Sequence, residues 1–264
     1  MIKLIATDMD GTFLDSDKSF SKEFYDLFFK LKDKDIKFVI ASGNQYYRLY
    51  QKFLPMSDDM IFIAENGGYI AEGVKEISSS IIDSSIINQI KNILMKREEV
   101  FFILCGKKGA YIHEKYFDYR KEVKKYYCCY SFVNNLDDID DEILKIAIYD
   151  PNHQISITLK DLKDLLPEGV KLVTSGNEWM DIMNEETNKG TSMKLLQEIY
   201  HIHKDECAAF GDQMNDYEML KEVKYAYAMN NAVDQIKEIA YQVIPSNEEQ
   251  GVIQQLKQII KGEY

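Results

Sequence analysis

The chain has 264 residues, 45% of them hydrophobic and 29% charged, with a formal net charge of −12 at pH 7. That length suffices for one large domain or two smaller ones, each with a sizeable core. The acidic balance argues against nucleic acid or an anionic membrane as the main partner, since both reward a basic face.

In chain order, an apolar run over 2–7 predicts a buried strand, and it ends in Asp8-Met9-Asp10-Gly11-Thr12. The acid at residue 8 comes too early for a secretory signal peptide. No apolar run approaches the roughly 18 residues of a membrane span. Four cysteines without a Cys-x-x-Cys spacing read as free thiols of a cytoplasmic protein, with Cys128-Cys129 inside a buried run over 126–130. A helix is predicted from near Ser21, with Phe24, Leu27, Phe28 and Leu31 at helical spacing. A second strand over 36–41 ends in Ser42-Gly43-Asn44, and a third over 60–64 ends in Glu65-Asn66-Gly67-Gly68. From 189 onward the alternation returns: a helix, a strand over 208–210, a helix over 215–222, a strand over 225–228, a helix over 232–240, a short strand near Val243 and a final helix. Such alternation with short loops implies a Rossmann-like parallel sheet covered on both faces.

The middle of the chain differs. Helices over 84–97, 114–125 and 158–166 interleave with strand-like runs over 100–105, 109–113, 143–149, 170–174 and 178–183. The pattern predicts an α+β domain over 83–184 inserted into an α/β core made of 1–82 and 185–264.

Strand ends carry the chemistry. Ligands of open parallel sheets bind at the carboxyl ends of the strands. Asp8 and Asp10 follow the first strand, Ser42 the second, and Gly211-Asp212-Gln213-Met214-Asn215-Asp216 the strand ending at Phe210, while Lys189 opens the helix that returns to the core. Several carboxylates around one lysine make a poor stabilising device and a good Mg²⁺ site, because that ion takes hard oxygen ligands and bridges carboxylate to phosphate. A carboxylate in such a place can attack phosphorus to form an aspartyl-phosphate. Lys189, Ser42 and backbone N–H groups near 9–12 and Gly43 would hold the phosphoryl oxygens. Asp10 would protonate the leaving alkoxide and later activate water.

Alone, each motif has an ordinary reading. Asp-x-Asp-Gly-Thr can be a turn or a calcium site, although it lacks the further spaced ligands of an EF-hand loop, Ser42-Gly43 a strand-to-helix corner, Lys189 a solvated charge, and Asp212-x-x-Asn215-Asp216 a helix cap. Lys189-Gly190-Thr191 is no P-loop, since no glycine stands five residues before the lysine. All four motifs in this order, each at a strand end or helix start, outweigh those readings.

Together, Asp8-Met9-Asp10-Gly11-Thr12, Ser42, Lys189 and Gly211-Asp212-x-x-Asn215-Asp216 resemble the haloacid dehalogenase-like hydrolases, in particular their Cof-type sugar phosphatases. The likeness extends to Glu65-Asn66-Gly67-Gly68, to the inserted module as an α+β cap, and to the tail Asn247-Glu248-Glu249-Gln250-Gly251-Val252. It implies Asp8 as nucleophile, Asp10 as general acid/base, and Ser42, Gly43 and Lys189 as phosphate holders. It further implies Mg²⁺ on the Asp8 carboxylate, the Asp10 carbonyl and Asp212, with Thr12, Asn215 and Asp216 in support. Asn44 stands where many relatives have arginine; with Asn177 and Trp179 it is a candidate substrate contact, although Trp179 reads first as cap core. The implied partner is a small phosphorylated metabolite, with a hexose or pentose phosphate ahead of a flavin or cofactor phosphate. A phosphotransferase or phosphomutase could use the same aspartyl-phosphate, and a non-catalytic phosphate-binding module would keep the pocket without needing Asp10. The cap's position after the second motif favours hydrolysis. Oligomeric state is not legible.

Overall fold

The computed structural model describes residues 1–175 and 178–264. It divides into two units, Met1–Ser78 with Asn188–Tyr264, and Ser79–Thr187.

In the first unit, β1 (Leu4–Thr7) is followed by α1 (Glu23–Asp33), β2 (Lys37–Ala41), α2 (Tyr46–Lys52), β3 (Ile61–Ala64), β4 (Tyr69–Glu72) and β5 (Lys75–Ser79). All four residues of β1 are buried, as a strand flanked on both sides and covered on both faces requires. α1 turns Phe24, Leu27, Phe28 and Leu31 inward. There Phe24 packs 4.7 Å from Phe13 and 5.0 Å from Phe38 between ring centroids.

The second unit holds α3 (Ser84–Leu94), β6 (Phe101–Gly106), β7 (Ala110–His113), α4 (Arg120–Tyr126), β8 (Tyr130–Val133), β9 (Ile143–Tyr149), α5 (Ile155–Lys163), β10 (Val170–Ser175) and β11 (Trp179–Asn184). Its strands form one sheet in the order β10-β11-β9-β6-β7-β8. This unit has its own core, built on Ile90, Ile103, Ile146, Ile148, Leu162 and Ile182. Asp83 caps α3 through the Ser85 N–H at 2.8 Å.

Returning to the first unit, the chain forms α6 (Lys189–Tyr200), β12 (Cys207–Gly211), α7 (Tyr217–Lys221), β13 (Tyr225–Met229), α8 (Asp234–Ile239), β14 (Gln242–Ile244) and α9 (Gly251–Lys261). The sheet order is β14-β13-β12-β1-β2-β3-β4-β5. β1 pairs in parallel with β2 on one side and β12 on the other, with Thr7 opposite both Ile40 and Phe210. The chain leaves β1 toward one neighbour and returns beside the other, so the carboxyl ends of β1, β2 and β12 open at one topological switch point.

Several features depart from the sequence reading, the strands β4, β5 and β8 among them. β4 runs antiparallel to β3, so the parallel sheet ends in a mixed edge. Cys128 and Tyr126 are exposed and only Tyr127 of the 126–130 run is buried, because that run spans the end of α4 and a loop. The third helix of the inserted part lies at Ile155–Lys163, earlier than 158–166. Among the described residues, no helix is long and apolar enough to cross a membrane.

Candidate active site

The end of β1 delivers Asp8 while its backbone is still in the ladder, its N–H donating to Phe210 O at 3.0 Å. Its side chain is therefore placed by the sheet and not by a mobile loop. Lys189, the first residue of α6, is 1% exposed. A capping box of Asn188 and Thr191 fixes that helix start. From there the Lys189 ammonium donates to Asp8 Oδ1 and to Asp216 Oδ1, both at 2.6 Å.

Asp216, fully buried, also accepts from the N–H groups of Asp212 (3.0 Å) and Gln213 (3.1 Å) through Oδ2. It thus ties the lysine to the turn after β12. Asp212 in turn accepts from Thr12 Oγ1 at 2.7 Å, which joins that turn to the loop after β1. Gly11 permits the join. Its φ is +84°, and a Cβ there would stand 2.5 Å from Asp212 Oδ2.

The three carboxylates of Asp8, Asp212 and Asp216 each offer an oxygen within 4.8 Å of the others, and one ammonium does not balance them. Burial and the Asp216 charge push the Asp8 carboxyl well above the usual carboxylate range, against the pull of Lys189. Burial likewise raises Asp212, opposed by the Thr12 hydrogen bond and reinforced by Asp216. Lys189 goes the other way: burial disfavours its charge, but Asp216 and Asp8 outweigh that and raise its pKa. Such a set of buried hard oxygens, short of positive charge, suits a divalent cation. Both Asp216 oxygens accept from N–H donors, and Asp212 accepts from Thr12 Oγ1 through Oδ1 at 2.7 Å and from Gln213 Nε2 through Oδ2 at 3.3 Å, while each of the three carboxylates keeps an oxygen near one common point.

Asp10 sits one step toward solvent. Its Oδ1 accepts from Lys18 Nζ at 2.8 Å and its Oδ2 from Asn44 Nδ2 at 3.1 Å. Burial alone would raise its pKa, but Lys18, Asn44 and Arg48 together lower it. The Asn44 amide also donates to Ser42 Oγ at 3.0 Å, so Ser42, Asn44 and Asp10 form one chain of contacts. Gly43 faces Asn66, whose side-chain oxygen and nitrogen would lie 3.0 Å from a Cβ at that position. Asn215 Nδ2 donates to Asn66 Oδ1 at 3.4 Å.

Asp8, Thr12, Lys189, Asp212 and Asp216 are thus one bonded cluster, and Asp10, Ser42, Gly43, Asn44 and Asn215 form its surroundings. Trp179 belongs to the second unit, where it lies partly buried against that unit's core, 4.9 Å from Tyr149 and 5.1 Å from Tyr126 between ring centroids. Asn177 lies outside the described residues. Sequence reasoning missed Lys18, which stands in a loop without any motif. Asn66 is a second such residue; an asparagine before Gly-Gly is a signal for the left-handed conformation that it adopts, with φ 55°.

A family profile described as haloacid dehalogenase-like hydrolase matches residues 5–256. The chain is similar to the 5-amino-6-(5-phospho-D-ribitylamino)uracil phosphatase YbjI of Escherichia coli, at 33% identity over 99% of this chain and 97% of that protein. It is also similar to YwtE of Bacillus subtilis, which bears the same enzyme name, at 26% identity over the full length of both chains. Among solved structures, SMU.1108c from Streptococcus mutans superposes with a TM-score of 0.89 at 28% identity, covering 99% of this chain and 100% of the other.

Proposed function

The chain belongs to the haloacid dehalogenase-like hydrolases and is a phosphatase of that family, and from this we propose that it hydrolyses small phosphate monoesters by way of an aspartyl-phosphate on Asp8, with Mg²⁺ as cofactor. One observation carries the reading: a buried ammonium bridges Asp8 and Asp216 at 2.6 Å inside a set of carboxylates that it cannot neutralise alone.

In the first step an Asp8 carboxylate oxygen forms a bond to phosphorus as the ester P–O bond breaks, and Asp10 gives a proton to the departing alkoxide. In the second, Asp10 takes a proton from water, the water oxygen bonds to phosphorus, and the Asp8–phosphorus bond breaks to release phosphate. Lys189 holds Asp8 in place and draws charge from the phosphoryl oxygens. Ser42 and the Gly43 N–H are the remaining phosphate contacts. Asp8, Asp212 and the Asp10 carbonyl are the residues that would hold Mg²⁺, which when bound supplies the missing positive charge. Thr12 and Asp216 keep Asp212 in place.

For the substrate, the names of the Escherichia coli and Bacillus subtilis relatives point to a phosphate ester on a five-carbon polyol chain attached to a pyrimidine. Such an ester is chemically nearer to the flavin or cofactor phosphate placed second in the sequence reading than to the hexose or pentose phosphate placed first, and Asn44, at Asp10, is the candidate substrate contact of the first unit. The test is phosphate release from purified protein with ribitylaminouracil phosphate, hexose phosphates and an aryl phosphate, with and without Mg²⁺. Release that needs Mg²⁺ and favours a polyol or sugar ester is expected. Undiminished turnover after chelation contradicts the metal's part, and faster product release on adding a sugar acceptor favours a phosphotransferase.

A further inference from the structure

We propose that Asn231 and Asn247 are positioning residues that hold the loop after β1 in its working conformation. The inference rests on the reading that this loop carries the nucleophile and the acid/base. Within the loop, the N–H groups of Thr12, Phe13 and Leu14 all turn to one acceptor, Met9 O, at 3.4, 3.0 and 2.9 Å. The carbonyls of Gly11 and Leu14 take their donors from elsewhere. Asn231 Nδ2 donates to Gly11 O at 2.8 Å and Asn247 Nδ2 to Leu14 O at 2.9 Å. The two asparagines are coupled, since Asn231 Oδ1 accepts from the Asn247 N–H at 3.2 Å. Beside them Glu248 Oε1 accepts from the Ser16 N–H at 2.8 Å. Three backbone atoms of the catalytic loop are therefore held by side chains more than 200 positions away.

The tail that supplies this grip is itself stiff. Glu249 Oε2 accepts from Ser246 N and Oγ at 3.0 and 2.7 Å, and the Gly251 N–H donates to Ser246 O at 3.0 Å. A Cβ on Gly251 would lie 1.9 Å from Pro245 O, so the turn admits no larger residue there. Between loop and tail remains a cavity of about 10 Å³, near the space of a single water, lined in part by Thr12, Asn247 and Gln250. The segment following Pro245 thus presents Asn247 and Glu248 to the loop from a fixed base. The consequence is catalytic: Asp10 precedes Gly11 directly, and Thr12 holds Asp212. A displacement of about 1 Å in such a loop costs on the order of 10²-fold in rate.

The test compares Asn231→Ala, Asn247→Ala, Glu248→Ala and Glu248→Gln with the wild type in steady-state hydrolysis of an aryl phosphate in Mg²⁺, with melting curves alongside. The asparagine variants are expected to lose about 10- to 100-fold in kcat with KM within about twofold, as loss of an interaction used in the transition state requires. Glu248→Ala is expected to lose less, and Glu248→Gln, which keeps the acceptor for Ser16, to restore most of it. Wild-type kcat in all variants, with only the melting temperature lowered, overturns the proposal by making the grip structural alone. If an asparagine variant does not fold, equal kcat in the two Glu248 variants and the wild type overturns it as well. An inactive wild type overturns the underlying reading of the site and this inference together, whereas an active wild type with indifferent variants overturns this one alone.

Discussion

At the residue scale, Lys189 shows how stability and chemistry compete in one place. An ammonium with 1% exposure satisfies two carboxylates, and removing it leaves both buried without their counter-charge. Breaking a buried ion pair from one side costs about 3–5 kcal/mol. Lys189→Met is accordingly expected to lose a stabilisation of that order at neutral pH and to lose activity by about 10²-fold or more. Its deficit has a direction in pH. Without the ammonium the Asp8 carboxyl rises further above its unfolded value, and a raised acid loses stability as pH climbs through its folded pKa. Urea midpoints of the variant and the wild type should therefore lie closest near pH 4 and separate toward neutrality; a constant gap contradicts this account.

Elements explain which parts were legible in advance. β1, β2, β9 and β12 were visible because both of their faces are buried and their sequences are accordingly rich in apolar residues. β5 and β8 were not, since Lys75–Ser79 and Tyr130–Val133 are short strands without a single buried residue. α5 was misplaced because Gln154 gives no side-chain cap and the exposed Leu165 imitates a buried turn. In the site, Asp8, Asp10, Lys189, Asp212 and Asp216 were legible as motifs at strand ends and helix starts. Lys18, Asn231 and the contacts of Asn247 were not, because they join the loop only through the folded backbone. The β1 loop offers its own test in Gly11→Ala. A side chain there meets both the left-handed backbone and Asp212 Oδ2 at 2.5 Å. A cost of about 1–3 kcal/mol is expected from the strained conformation alone. Activity should fall with it, because Thr12 and Asp212 are driven apart; wild-type kinetics in a folded variant would mean the join is dispensable.

On the scale of the whole molecule, the sequence carries a net charge of −12, and its first unit buries three carboxylates around one point. Metal and pH are therefore coupled through global stability. Burial raises the Asp8 and Asp212 carboxyls above the usual carboxylate range, so their contribution to stability is complete below the unfolded carboxylate pKa and declines as pH rises through the folded one. Asp10 is lowered, and its contribution is lost only as pH falls through its folded value. Binding of a divalent cation needs the ionised forms, so its stabilisation should grow with pH. Melting curves at pH 5 and 7.5, with Mg²⁺ and with chelator, are expected to show a larger Mg²⁺ shift at pH 7.5. An equal shift, or none, contradicts the assignment of the carboxylates to a cation.

The central claim is that Asp8 becomes phosphorylated, and trapping the intermediate tests it most directly. With Asp10→Ala the water of the second step lacks its base, so the phosphoryl group should accumulate on the enzyme. The variant is mixed with an aryl phosphate, whose leaving group departs without a proton from Asp10, and Mg²⁺, quenched in acid, digested and read by mass spectrometry. The account expects a phosphoryl group on the peptide containing Asp8 and none in Asp8→Asn. A peptide that stays unmodified while the wild type releases phosphate, or a label on another residue, contradicts it.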